Sequence, residues 1–251
     1  MNFIMRKEPG RLPPPPGATP REGSYAHGID LADVLTCWNV AVVGAIWAME
    51  YTELTPGYSY PSLREVPLDQ LRNGPLTTPV GTPRGVRLIL SAAAARGVSL
   101  PDLPGATATA REWSAAERAR NLALGDAEIE FESVRRRLVP EAASRLTSVY
   151  VADDSASGRS LILSMFTSVY IVTVRVSAAI RLTRADPVWF ERYFREPRVE
   201  FAEAYWAGRA APNTRGWEYL VEGEIELTDA AQLAYVRANG AHTPFLKSAS
   251  R

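Results

Sequence analysis

The stretch GWEYLVEGEIEL, residues 216–227, decides how the second half of the chain is read. Its composition is strand-like, with Trp217 and Tyr219 beside four acids. Successive side chains of a regular strand point to opposite faces. Glu218, Glu222, Glu224 and Glu226 then fall on one face, which on an edge strand is a solvated face. A bulge or turn at Gly223 would break that register and separate Glu218 from the other three. Whether one of these carboxylates does chemistry is the question the sequence raises.

Upstream of that strand, APNTRG (211–216) reads as a loop. Before it, VEFAEAYWAG (199–208) reads as a helix with Gly208 as its C-cap. DPVWFERYF (186–194) opens with Asp186 as N-cap and Pro187 at the first helical position. RLTSVYVA (145–152) and VYIVTVRV (169–176) carry the β-branched and aromatic residues of two strands. Between them lie the turn-like DDSASGRS and a short helix or turn around LILSMF. SAAE at Ser114 has capping-box spacing and starts a helix. Gly125 and Asp126 punctuate it, and DAEIEFESVRRRL continues as a second helical stretch with Ala127, Phe131, Val134 and Leu138 on one face. Pro140 ends that stretch. Short strands and helices interleave, so the fold class expected is α+β.

The first hundred residues read differently. MNFIMRKEPGRLPPPPGATPREG lacks the ordered charge, apolar and cleavage regions of a secretory signal, and its prolines favour an extended arm. Residues 29–51 read as one mostly apolar helix, with Asp30 as N-cap and TPGYSYP as its stop. Within it, VLTCWNVAVVGAIWAM (34–49) is shorter than the about 20 residues of a membrane span and carries Thr36 and Asn39, which favours a buried helix and no membrane partner. Residues 52–84, rich in Pro, Gly and Thr, read as a long irregular connection, a candidate lid. GVRLILSAAAARGVSL (85–100) fits either a strand leading into a helix or one helix ended by Gly97. The domains expected are a flexible proline-rich arm over 1–28, a helical and irregular extension over 29–110, and a core over 111–251.

Composition narrows the function classes. Lys plus Arg equals Asp plus Glu at 28 each, so there is no strong nucleic-acid signal. Cys37 is the sole cysteine, which excludes an internal disulfide framework and fits a reducing, cytoplasmic setting. His27 and His242 are the only histidines, and neither sits in a metal-binding or triad motif, so no metal is expected.

Three clusters remain as candidates for chemistry. In SRLTSVY, Arg145 offers a planar fork of donors flanked by Ser144, Thr147 and Ser148, a pattern suited to a phosphate or a ribose. Tyr205 and Trp206 could make a stacking wall for a planar ring. Glu218, beginning a strand, could point into a cleft. The plainer readings are a surface ion pair for Arg145, helix packing for Tyr205 and Trp206, and solvation for the glutamates.

The order FESVRRRLVPEAASRLTSVYVADD, DPVWFERYF, AEAYWAG, WEYLVEG resembles a bacterial and phage branch of the ADP-ribosyltransferase fold over about residues 114–228. The resemblance implies split antiparallel sheets around an NAD-type cleft, carrying a helical N-terminal extension. It implies NAD as co-substrate and a macromolecular or small-molecule acceptor. It makes Glu218 the catalytic glutamate, with Ser144, Arg145, Thr147, Ser148, Tyr205 and Trp206 binding the cofactor. YAHG (25–28) is similar to the His-Gly opening of one transferase group, which makes His27 a candidate contact from the first strand. A non-catalytic interaction protein and an NAD hydrolase are the alternative functions.

Overall fold

The structure, a computed structural model, describes residues 17–48, 62–73, 84–97, 113–166 and 169–241. The proline run, most of the 52–84 connection and His242 lie outside the described residues. Five strands and eight helices are present among those described. In chain order they are β1 (Thr19–Ile29), α1 (Val34–Val43), β2 (Ala45–Trp47), α2 (Leu68–Asn73), α3 (Arg84–Ala95), α4 (Ala115–Leu138) and β3 (Val149–Asp153). There follow α5 (Ala156–Met165), β4 (Tyr170–Ala185), α6 (Val188–Arg195), α7 (Val199–Trp206), β5 (Glu218–Leu227) and α8 (Ala230–Asn239). The class is α+β, with every strand pairing antiparallel.

The strands form one sheet in the order β2-β5-β3-β1-β4, and β5 also pairs with β4. That extra pairing closes β5, β3, β1 and β4 into a ring. It replaces the two split sheets the resemblance implied. Closure is possible because β4 is 16 residues long and pairs with β1 over 170–179 on one edge and with β5 over 174–185 on the other. Two register shifts in the β4–β5 ladder, at Val176/Ala178 and Ala179/Arg181, bend β4 between them. Gly223 is therefore no bulge on β5. It lies where β4 crosses closely, since a Cβ there would meet the Ala178 carbonyl oxygen at 2.0 Å.

Residues 19–28, placed in the proline-rich arm, form most of β1, which pairs with both β3 and β4. The alternation of Tyr25, His27 and Ile29 against Ala26 and Gly28 suits a strand buried on both faces, and that short signal follows the prolines directly. The apolar stretch 29–51 is not one helix. Asp33, rather than Asp30, accepts from the Thr36 N–H at 3.2 Å and caps α1. Gly44, at φ 72°, then turns the chain out of α1 and into β2, which pairs with the far end of β5.

Of the two readings of residues 85–100, the helix is the one observed as α3, with Gly97 at φ 87° beyond its end. The capping box is present, with Ser114 Oγ accepting from Glu117 N–H and Glu117 from Ser114 N–H. The helix it starts runs unbroken for 24 residues through Gly125. Gly125 is there because α3 packs against it, and a Cβ would lie 2.2 Å from that of Ala92. At the start of α6 the N-cap is Pro187 rather than Asp186, one residue on from the expected position, while Asp186 accepts from Val188 N–H at 3.0 Å and its other oxygen accepts from Ala211 N–H.

Four apolar clusters follow from this order. One face of the ring, with Val151, Val174, Val221 and Ile225, is closed by α1 and α8 through Val40 and Val236. Helices α4, α6 and α7 cover the opposite face near β5 with Phe131, Phe190 and Tyr205. Helices α2 and α3 pack on the far side of α4, and α5 packs on β1 and β3. Among the described residues no helix is long and apolar enough to cross a membrane.

Candidate functional site

The acidic face of β5 is not solvated. Glu218, Glu222 and Glu224 are buried, each expose at most 2% of their surface, and each is handled by different partners. Glu222 accepts from Arg64, Arg181, Thr147 Oγ1 and the Ser144 N–H. Glu224 accepts from Trp47 Nε1 and Ser177 Oγ, and Glu226, nearer the surface, pairs with Arg175. A buried carboxylate persists only when paired or hydrogen-bonded, and Arg64, the 144–147 segment, β2 and β4 supply that pairing for Glu222 and Glu224.

Glu218, the first residue of β5, differs from the others. Its Oε1 accepts from Arg145 Nη1 at 2.8 Å and from Tyr205 Oη at 2.6 Å, while its Oε2 is buried without a partner. Arg145 is held in turn by α4, through two parallel bonds to Glu128 at 2.9 and 3.0 Å. The Phe190 ring lies 4.1 Å from the guanidinium carbon, and those of Tyr205, Tyr150 and Phe131 within 5.7 Å. Burial opposes the guanidinium charge, but Glu128, the tyrosine hydroxyls and Glu218 together hold its pKa well above the ordinary value. Burial, and next to it Glu218, keep Tyr205 protonated, with only Arg145 acting the other way, so its hydroxyl remains a donor. The result is a carboxylate fixed by one oxygen with the second left over.

Arg145 and Glu218 form the floor of a cavity of about 220 Å³. Its walls are apolar, built from Leu124 on α4, Met165 on α5, and Phe190 and Phe194 on α6. Arg120 and Arg195 reach it from α4 and α6, both exposed, and Glu191 beside them is paired with Arg215. The lining thus joins a buried Arg145–Glu218 pair, whose unpartnered oxygen is itself buried, to two exposed cations. Among the described residues no three of His, Cys, Asp and Glu stand together as a metal site.

The residues read as cofactor-binding thus separate. Arg145 reaches the cavity. Tyr205 does not line it but fixes Glu218 from behind. Trp206 is core, donating its indole N–H to the Phe131 carbonyl and standing edge-on to Tyr205. Ser144 gives its hydroxyl to Glu132 and Thr147 gives its own to Glu222, so both serve the neighbouring carboxylates. Ser148 Oγ is buried without a partner and outside the cavity lining. Glu128 was not singled out in the sequence. It belongs to a visible stripe, because Glu128, Phe131, Glu132 and Arg135 follow helical i, i+3, i+4, i+7 spacing. Charged residues at core-facing positions were the available signal.

His27 lies on β1, outside the cavity lining, with Nδ1 2.7 Å from the Tyr150 carbonyl. Burial lowers its pKa from 6.5 to about 4, against the raising effect of that carbonyl. In the folded state the ring is therefore neutral and Nδ1–H is the donor. The unfolded chain binds the proton first as pH falls, so folding stability declines from pH 6.5 down to about 4. His27→Gln is expected to flatten that acid limb, whose full height is on the order of 3 kcal/mol. Urea unfolding across the interval would show an unchanged slope if the histidine contributed nothing.

Residues 119–232 match the model of a family described as a protein of unknown function, DUF2441. The match takes in Glu128, Arg145, Tyr205 and Glu218, and leaves out β1, α1 and β2. No curated protein matches the chain.

Proposed function

We propose that the chain is an NAD-dependent ADP-ribosyltransferase-like enzyme, which breaks the nicotinamide–ribose bond and passes ADP-ribose to an acceptor. The observation that carries the reading is the meeting of Arg145 and Glu218, 73 residues apart, at the floor of one cavity with Glu218 Oε2 unpartnered. Such an oxygen suits the ribose hydroxyls of NAD, and its charge suits the positive character that grows on the ribose carbon as nicotinamide departs with the bonding electron pair. Arg145 and Tyr205 hold Oε1 so that the carboxylate need not reorganise during the reaction. The same oxygen could take a proton from an acceptor hydroxyl or amine as the new bond forms. The cavity is smaller than the roughly 300–1,000 Å³ of a pocket that encloses a drug-sized ligand. It suits the nicotinamide–ribose end of NAD and leaves the adenosine end outside.

The second reading is a non-catalytic interaction protein in which the Arg145 cluster only holds α4 and α7 to β5. What favours it is the complete burial of the Glu218 side chain. One measurement separates the two: incubate the purified chain with NAD and follow free nicotinamide. Release with label retained on a macromolecule supports the transferase. Release without transfer to any added macromolecule marks a hydrolase, and neither release nor NAD binding by calorimetry sinks the enzymatic reading.

A further inference from the structure

Two cations at the rim of the cavity are not used by the chemistry above. Arg120 extends from α4 and Arg195 from the last residue of α6, so two separate helices bring them to one opening. Both side chains are exposed, and neither takes part in an ion pair among the described residues. The acid beside them, Glu191, is already engaged by Arg215, which also brings its own charge close to the opening. The opening therefore carries cations in excess, while the floor offers an acceptor that lacks a donor. Between floor and rim the walls are Leu124, Met165, Phe190 and Phe194, an apolar sleeve suited to a planar ring.

A ligand matching this lining has hydroxyl donors for Glu218, a planar ring for the apolar walls and an anion for the two guanidiniums, and a nucleotide carries the last two on either side of its ribose. We infer that Arg120 and Arg195 form a phosphate-binding rim, so that the cavity is a site for a nucleoside monophosphate unit with its ribose at Glu218 and its phosphate at the two guanidiniums. The inference rests on the NAD reading and sharpens it. The recognised part of the dinucleotide is its nicotinamide mononucleotide half, and the adenosine half adds little. Guanidinium is the side chain suited to this task, because its planar fork donates two parallel bonds to phosphate oxygens.

The test is calorimetric titration of the full chain with nicotinamide mononucleotide and with nicotinamide riboside, which differ only by the phosphate. The mononucleotide should bind more tightly, by about tenfold or more, and the advantage should shrink as salt is raised. In Arg120→Ala/Arg195→Ala the mononucleotide should fall to the affinity of the riboside, while the riboside stays as it was. Arg195→Glu, a reversal at an exposed position, should lower mononucleotide affinity further and leave the folded chain intact by circular dichroism. Equal binding of the two ligands, or a phosphate advantage that survives the double variant, overturns the rim and leaves the NAD reading standing. Binding of neither ligand overturns the rim, and the NAD reading falls with it only where nicotinamide release and NAD binding are absent as well.

Discussion

Glu218→Gln is expected to cut nicotinamide release by about 10²–10³-fold, the loss seen when one preorganised electrostatic partner is removed from an active site. The same substitution should change unfolding stability by no more than about 1 kcal/mol. The two expectations come from the two oxygens. Oε1 works for the fold, accepting from Arg145 and Tyr205, and a glutamine carbonyl can accept both bonds. Oε2 makes no bond in the fold, so the amide nitrogen that replaces it takes an acceptor from whatever the cavity holds, while the lost charge is also lost to Arg145. Glu128 still compensates the Arg145 charge through its two bonds. A purely architectural Glu218 predicts the opposite pattern, a large fall in unfolding free energy and no effect on turnover. Parallel assays of nicotinamide release and urea unfolding on one preparation decide between them, and a variant that keeps its turnover ends the catalytic assignment.

Local rules were legible in the sequence where one residue and its near neighbours settle the outcome. The Ser114 capping box, the start of α6 to within one residue and the Gly97 end of α3 are of this kind. Gly125 was not, because a glycine inside a helical pattern either breaks the helix or lets a second helix approach. The second helix here is α3, 30 or more positions upstream, so the choice is tertiary. The β5 acids show the same limit. Alternation correctly puts Glu218, Glu222 and Glu224 on a common face, yet nothing local says that α4, α7 and the 62–66 segment bury it. Of the Ser-Arg cluster only Arg145 lines the cavity, and the Ser144 and Thr147 hydroxyls turn toward Glu132 on α4 and Glu222 on β5, partners that tertiary packing brings to them. β1 was hidden because six of its eleven residues, Thr19–Ser24, are exposed and include a proline.

Arg145→Met should cost about 3–5 kcal/mol of folding stability, the largest single effect foreseen outside the reaction itself. Methionine fills much of the volume and keeps contact with Phe190, so the loss is not one of packing. It arises because Glu128 and Glu218, both fully buried at their side chains, lose a shared guanidinium. Two carboxylates then occupy one dry region, with the Tyr205 hydroxyl still donating to Glu218. Arg145→Lys should recover only part of the loss, because a point charge cannot make the paired bonds to Glu128 and also reach Glu218. Adding Glu128→Gln to Arg145→Met should restore stability relative to the single variant, since a buried charge without its partner is worse than neither. Urea unfolding midpoints for the single and double variants at neutral pH test both expectations. A single variant within about 1 kcal/mol of the parent would mean that the cluster does not hold α4 against β5.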